Sequence, residues 1–170
     1  LDFYRRLGVN HFLVVSNCST DETTELLAKA PDVSVWHTDQ SYKRARFGMD
    51  WINGLLSSHG HGHWCLTVDI DEFLAYPRDD TRNLRALTDW LSNIRQPALG
   101  TMLIDCYPGE EIKGDPADPL TAAPWFDGGN YTFRRNPTYR NLWIQGGPRA
   151  RAFFADAPGA APALNKIPLV

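Results

Sequence analysis

The sequence predicts an α/β domain with a mostly parallel sheet flanked by helices, followed by a less regular C-terminal region. Three observations predict it. Helical and extended hydrophobic patterns alternate through the first half of the chain, and strands separated by helices argue for a parallel sheet covered on both faces. An apolar run from Trp64 to Val68 ends in the acids Asp69, Asp71 and Glu72, as a buried strand does where it leaves a sheet. Finally, 170 residues with 43% hydrophobic and 22% charged content suit one ordinary core and exclude a disordered chain.

Each element has its own signal. Phe3, Tyr4 and Leu7 lie on one helical face, and Gly8 stops that helix. His11 to Val15 reads as a short strand. Ser19 and Glu22 have the spacing of a capping box, opening a helix that runs to Ala30 before Pro31. Val33 to Trp36 is a second strand. Ala45, Met49, Ile52 and Leu56 recur at helical spacing up to Gly60. The strand carrying Asp69 follows, and Leu84, Leu87, Leu91 and Ile94 mark a further amphipathic helix stopped by Pro97. Thr101 to Ile104 is a strand ending at Asp105. Pro108 to Pro124, rich in Pro, Gly and acid, reads as a long loop of the kind that often carries function. Tyr131–Phe133 and Leu142–Ile144 form a pair of strands.

The acids at 69–72 carry the strongest chemical signal. Asp69 and Asp71 are two apart, so on an extended backbone their side chains share a face and Glu72 points to the other. Two carboxylates held that close repel, and a hard divalent cation relieves them. Mg²⁺ or Mn²⁺ bound in this way fills its remaining positions with water and phosphate oxygens. Ligands of a parallel sheet bind beyond the carboxyl ends of its strands. The segment from Asn17 to Asp21 and the one from Asp69 to Glu72 both fall there, so the two are expected to line one crevice. Asp21 lies in the first turn of a helix, a position the helix dipole favours for an acid.

Composition narrows the partners. A net charge of −3 gives no nucleic-acid footprint. No apolar stretch is long enough to span a bilayer and nothing in it resembles a secretory signal. Cys18, Cys65 and Cys106 are odd in number and widely spaced, which suits free thiols in a reducing compartment; the expected location is the cytoplasm or the membrane periphery. His59, His61 and His63 alternate with glycines and read as a surface loop rather than a metal site. The chain starts at Leu1 with a helical pattern already under way, and it reads as a fragment.

The runs Leu7-Gly8-Val9-Asn10-His11-Phe12, Asn17-Cys18-Ser19-Thr20-Asp21-Glu22-Thr23 and Val68-Asp69-Ile70-Asp71-Glu72-Phe73-Leu74 resemble the family 2-like glycosyltransferases. The resemblance is to the branch with a D-x-D-E-F motif, which is also similar to the family 92 enzymes. Gly146-Gly147-Pro148-Arg149 and Leu164-Asn165-Lys166-Ile167-Pro168-Leu169 resemble the tail blocks of that branch. The resemblance implies a GT-A fold over a single catalytic domain, 1–170, truncated at both ends. Residues 1–106 would form the nucleotide-sugar-binding part and 107–170 the acceptor-side part. A first strand would lie upstream of Leu1, between the strand ending at Asn17 and the one ending at Asp69.

The activity so implied is transfer of a sugar from a nucleotide-diphosphate sugar, a UDP-sugar before others, to a glycan or other hydroxyl acceptor. Asp71 would hold Mn²⁺ or Mg²⁺, with Asp69 nearer the ribose and reaching the metal through water. Asn17 and Asp21 would hydrogen-bond the nucleoside, and Lys166 would contact phosphate. Ser16-Asn17 departs from the acid pair or Asp-Asn common at that loop, which leaves the base open.

Arg134, Arg135, Arg140, Arg149 and Arg151 crowd a short stretch, where one or two would clamp a diphosphate or an acidic acceptor. Trp125, beside the long loop, is the aromatic to test for acceptor binding. An inverting transfer needs a carboxylate base at the acceptor hydroxyl. Asp127 in Trp-Phe-Asp-Gly-Gly is the first choice, because glycines admit a ligand closely, and Asp105, Glu110 and Glu111 compete with it. Two other readings stand beside this one. A haloacid-dehalogenase-type phosphohydrolase would use Asp69 as nucleophile and Asp71 as acid/base, although Phe73 stands where such enzymes place Thr or Val. A non-catalytic carbohydrate-binding domain would keep the fold without turnover.

Overall fold

The structure, a computed structural model, describes residues 1–111 and 118–170. The centre of the long loop expected over Pro108–Pro124 lies outside them. The protein is mixed α/β and divides into two compact units, Leu1–Leu99 with Pro168–Val170, and Gly100–Ile167.

The first unit opens with α1 (Asp2–Arg6), which Gly8 terminates at φ +97°. Strands β1 (Phe12–Asn17) and β2 (Val33–Thr38) pair in parallel, in register from Phe12 opposite Val33 to Asn17 opposite Thr38. Between them α2 covers only Thr23–Ala28. Helix α3 spans Met49–His59 and ends at Gly60. It excludes Ala45, which the helical spacing had included, because Gly48 at φ +79° interrupts the chain there. Helix α4 (Leu84–Asn93) is capped by Asn83, whose side chain accepts from the Ala86 amide at 3.1 Å. The core gathers around Tyr4, Leu74 and Leu84, with Phe3, Phe12 and Val68 packed against it.

The large parallel sheet expected from the sequence is not formed. Among the described residues every sheet has two strands. The run before Asp69 makes one antiparallel bridge, Leu66 to Leu169. It is flanked by reciprocal bonds between Cys65 and Val170, at 2.7 and 3.0 Å, and by the Thr67 amide donating to the Pro168 carbonyl at 2.7 Å. Cys65 and Thr67 in this apolar run therefore bond to the C-terminal residues rather than to a parallel neighbour.

Strand β3 (Leu99–Met102) pairs with β8 (Asn165–Leu169), and in the second unit β4 (Cys106–Tyr107) pairs antiparallel with β5 (Trp125–Phe126). The short helix α5 covers Pro119–Ala122. Strands β6 (Tyr131–Asn136) and β7 (Asn141–Gly146) form the expected hairpin and lead into α6 (Gly147–Phe153). The core of this unit includes Ile144, Ala150, Ala161 and the fully buried Leu164. Leu164 is stitched in by its amide to the Ile144 carbonyl and by its carbonyl to the Leu103 amide, both at 2.7 Å. The passage from β7 to α6 needs its glycines. A Cβ on Gly146, at φ +133°, would stand 2.1 Å from the Asn130 carbonyl oxygen, and one on Gly147 would stand 2.7 Å from the Tyr131 ring.

Candidate functional site

In the first unit the acids of the D-x-D-E-F run sit on a turn. The Glu72 amide donates to the Asp69 carbonyl at 3.1 Å, and the Glu72 carboxylate turns back to accept from the Asp69 amide at 2.9 Å. Ile70 at the apex is 95% exposed, so the extended geometry expected through Asp71 gives way at this point. Asp69 and Asp71 are both exposed. The backbone that carries them is a tight turn rather than a continuing strand. Glu72, expected to point away, is the residue that closes the turn.

Below the turn lies a residue the sequence did not mark. The Tyr4 hydroxyl, on α1, donates to the Glu72 carbonyl at 2.8 Å and accepts from the Leu74 amide at 3.1 Å. Burial pushes the Tyr4 phenol up from its ordinary value. Phe3 meets Phe73 edge-on at 4.9 Å between centroids. The acid turn is thus exposed at its apex and fixed to the core at its base. The signal in the sequence was an aromatic pair, Phe3-Tyr4, which helical periodicity assigned to packing alone.

The loop after β1 is held differently from the expectation. Asn17 donates through Nδ2 to the carbonyls of Thr38 and Gln40, both at 3.0 Å, so both its donors tie β1 to the end of β2. Ser16 is buried, and its hydroxyl meets those of Ser19 and Thr24, each at 2.9 Å. This occupies Ser19, and the capping box is not made. Glu22 is the N-cap of α2 without a side-chain cap bond, while Asp21 accepts from the Thr23 amide at 3.1 Å, and the Thr23 hydroxyl and amide hold the Asp21 carboxyl below its ordinary value. Asp21 is exposed in this loop.

No group of three or more His, Cys, Asp or Glu side chains among the described residues forms a metal cluster. His59 stacks at a tilt on Trp36 with centroids 5.2 Å apart, a packing role. The chemistry of the acid turn nonetheless suits a hydrated Mg²⁺ or Mn²⁺. Such an ion takes one or two carboxylates from the protein and completes its shell with water and phosphate. Asp71 and Asp69 are exposed and carry hard oxygen donors, and the Glu72 carboxylate accepts from the Asp69 amide.

In the second unit, candidate bases and candidate anion clamps neutralise one another. Arg149 grips Asp105 through Nε, at 2.7 Å, and through Nη2. Arg151 reaches both oxygens of Asp127, Nη2 to Oδ1 at 3.2 Å and Nε to Oδ2 at 3.3 Å. The Tyr107 hydroxyl adds a third bond to Asp127 Oδ1 at 2.9 Å, and Tyr131 donates to the Asp127 carbonyl at 2.9 Å. The Arg151 guanidinium, and after it the Tyr107 hydroxyl, hold the Asp127 carboxyl below its ordinary range. A general base needs an available lone pair and a pKa near the working pH. As held here, Asp127 is an anion anchored by Arg151 and Tyr107.

Glu110 and Glu111 instead line an open cleft of about 580 Å³ with Trp125, Pro108 and Thr121. Trp125 is 59% exposed, and its indole lies over Gly109, where a Cβ would meet Nε1 at 3.0 Å. Lys166 lies on β8, half-buried, with its carbonyl accepting from the Thr101 hydroxyl at 3.5 Å. The donor-side candidates Asn17, Asp21, Asp69 and Asp71 therefore belong to the first unit, and Lys166 and Asp127 to the second.

The three thiols are free, and among the described residues no helix is long and apolar enough to cross a membrane. Comparison with protein-family models, with curated proteins and with solved structures finds no match for this chain.

Proposed function

We propose that this chain is part of a metal-dependent glycosyltransferase of the GT-A type, with a nucleotide-diphosphate sugar, first a UDP-sugar, as donor and a glycan or other hydroxyl as acceptor. The observation that carries the proposal is the Asp69–Glu72 turn, which presents the exposed Asp71 on a backbone closed by Glu72 and anchored through Tyr4. Its D-x-D-E-F sequence is the motif on which the resemblance to family 2-like transferases rests.

Asp71, with Asp69 beside it, would hold Mn²⁺ or Mg²⁺, which when bound supplies Lewis-acid stabilisation to a departing diphosphate. The chain's own residues do the rest. The anchored turn pre-positions the carboxylates, so that little ordering is left for the moment of binding. Asp21 remains an anion at any pH near neutrality and offers a hydrogen-bond acceptor to a ribose or base. On the acceptor side, Trp125 offers an aromatic face to a sugar ring. Glu110 or Glu111 replaces Asp127 as the base, since Asp127 is committed to Arg151 and Tyr107.

Calorimetry with UDP, with and without Mn²⁺, tests the reading. Mn²⁺-dependent UDP binding that is lost in Asp71→Ala supports it. Metal-dependent release of phosphate from a phosphomonoester would instead favour the phosphohydrolase. Retained sugar binding without nucleotide binding or turnover would favour the carbohydrate-binding domain.

A further inference from the structure

The β6–β7 hairpin has a composition unlike the rest of the protein. From Tyr131 to Gly146 it contains three arginines and no acid, in a chain whose net charge is −3. Arg134, Arg135 and Arg140 are all exposed. Among the described residues none of the three makes an ion pair, a state they share with Arg6, Arg44, Arg78, Arg82 and Arg95 but which within one hairpin leaves three cations together, whereas Arg5, Arg46, Arg85, Arg149 and Arg151 are paired. Four large apolar side chains accompany them: Phe133 at 58% exposed, Tyr139 at 75%, Leu142 at 48% and Trp143 at 39%.

The register explains how they are arranged. Cross-strand partners share a face, so Phe133 opposite Ile144 and Arg135 opposite Leu142 lie on one face, and Arg134 opposite Trp143 lies on the other. Ile144 is buried and roots the base of the hairpin in the unit. Beyond it, Phe133, Arg135 and Leu142 face solvent, and the tip carries Tyr139 and Arg140. The distal half therefore presents apolar and cationic groups together on both faces.

We infer that this hairpin docks on the surface of an anionic phospholipid bilayer. The unpaired arginines select a partner of negative charge. The apolar side chains select a surface into which they sink, as interfacial elements do when they bury apolar groups at the boundary of headgroups and acyl chains. Tyr and Trp beside them match the amphipathic zone where such rings accumulate. A soluble polyanion would satisfy the arginines and leave Phe133 and Leu142 in water.

Co-sedimentation with vesicles tests this with the whole chain. Binding is expected to phosphatidylcholine vesicles containing phosphatidylglycerol, weak binding to phosphatidylcholine alone, and release as salt is raised. Each arginine removed should weaken binding about fivefold, so Arg134→Gln with Arg135→Gln and Arg140→Gln should lose roughly a hundredfold. Phe133→Ser with Leu142→Ser should also abolish binding at unchanged charge. Should that pair disturb folding, as judged by circular dichroism, Tyr139→Ser at the tip should weaken binding several-fold. The inference is overturned if the anionic vesicles do not retain the protein, or if the triple glutamine variant binds undiminished. Adsorption insensitive to the apolar substitutions, including Tyr139→Ser, also overturns it, as does a dimer in size-exclusion chromatography that Phe133→Ser with Leu142→Ser dissolves.

Discussion

Arg151 holds Asp127 by both carboxylate oxygens, at 3.2 and 3.3 Å, while Tyr107 donates to Oδ1 of the same carboxylate at 2.9 Å. The Arg151 guanidinium and the Tyr107 hydroxyl keep the Asp127 carboxyl below 3.8, its ordinary value. A group whose folded pKa is depressed contributes stability that is fully present above its unfolded pKa and lost as the pH falls through the folded one. Arg151→Gln should therefore lower the melting temperature at neutral pH, and the gap from the parent should begin to narrow near pH 3.8 and close as the pH falls through the lower folded value. Melting curves followed by circular dichroism from pH 7 to pH 2 check it. An equal gap at both ends would assign the loss to packing of the Arg151 stem instead.

The glycines at the start of α6 give a second test. A methyl group on Gly146 would collide with the Asn130 carbonyl, and φ +133° is a conformation L residues avoid. Backbone strain and overpacking of this kind cost roughly 2–4 kcal/mol together. Gly146→Ala should lower the unfolding free energy from urea denaturation by that amount. Gly128→Ala, where a Cβ meets nothing within 4 Å, should change it little.

How much of this was legible in the sequence depends on the range of the interaction that decides each feature. Helix α4 is set by Leu84, Leu87 and Leu91 with Asn83 before them, and β1, β2 and the β6–β7 hairpin follow from short apolar runs. All are local patterns. The acid turn was misread because Val68 and Ile70 continue an alternating pattern. Nothing local says that the Glu72 carboxylate will take the Asp69 amide. The capping box failed for a similar reason: Ser16, three residues away, occupies Ser19 first. The pairing of Asp105 with Arg149 and of Asp127 with Arg151 spans 44 and 24 residues, a separation that no spacing rule covers. The wide parallel sheet was inferred from element order alone, which cannot show that residues 65–67 take the C-terminal residues as their hydrogen-bonding partners.

Leu164 supplies a third prediction. It is wholly inaccessible to solvent and joins Ile144 and Leu103 through its own backbone. Leu164→Ala removes buried methyl groups and leaves a cavity, a change that costs about 2–5 kcal/mol. Chemical denaturation should show that loss, whereas Leu26→Ala on an exposed site should show almost none. Equal effects would mean that Leu164 is not in the core of its unit.

Tyr4 connects stability to the acid turn. Its hydroxyl donates to the Glu72 carbonyl and accepts from the Leu74 amide, at 2.8 and 3.1 Å. Tyr4→Phe keeps the ring and its packing but leaves both backbone groups without that partner. A buried polar group left unsatisfied costs about 1–3 kcal/mol, so unfolding should become easier by about that much. The second consequence is specific to the turn. Without the hydroxyl, the Glu72 carbonyl is released and the Asp69–Glu72 segment loses its tether to α1. Mn²⁺-dependent UDP binding should weaken in Tyr4→Phe, and Glu72→Ala should weaken it further by freeing the Asp69 amide. Glu72→Gln, whose side-chain carbonyl can still accept from that amide, should restore most of the affinity. A purely structural role for Tyr4 would lower stability and leave nucleotide affinity unchanged at temperatures well below the transition. Titration calorimetry on the three variants at one such temperature distinguishes the two outcomes.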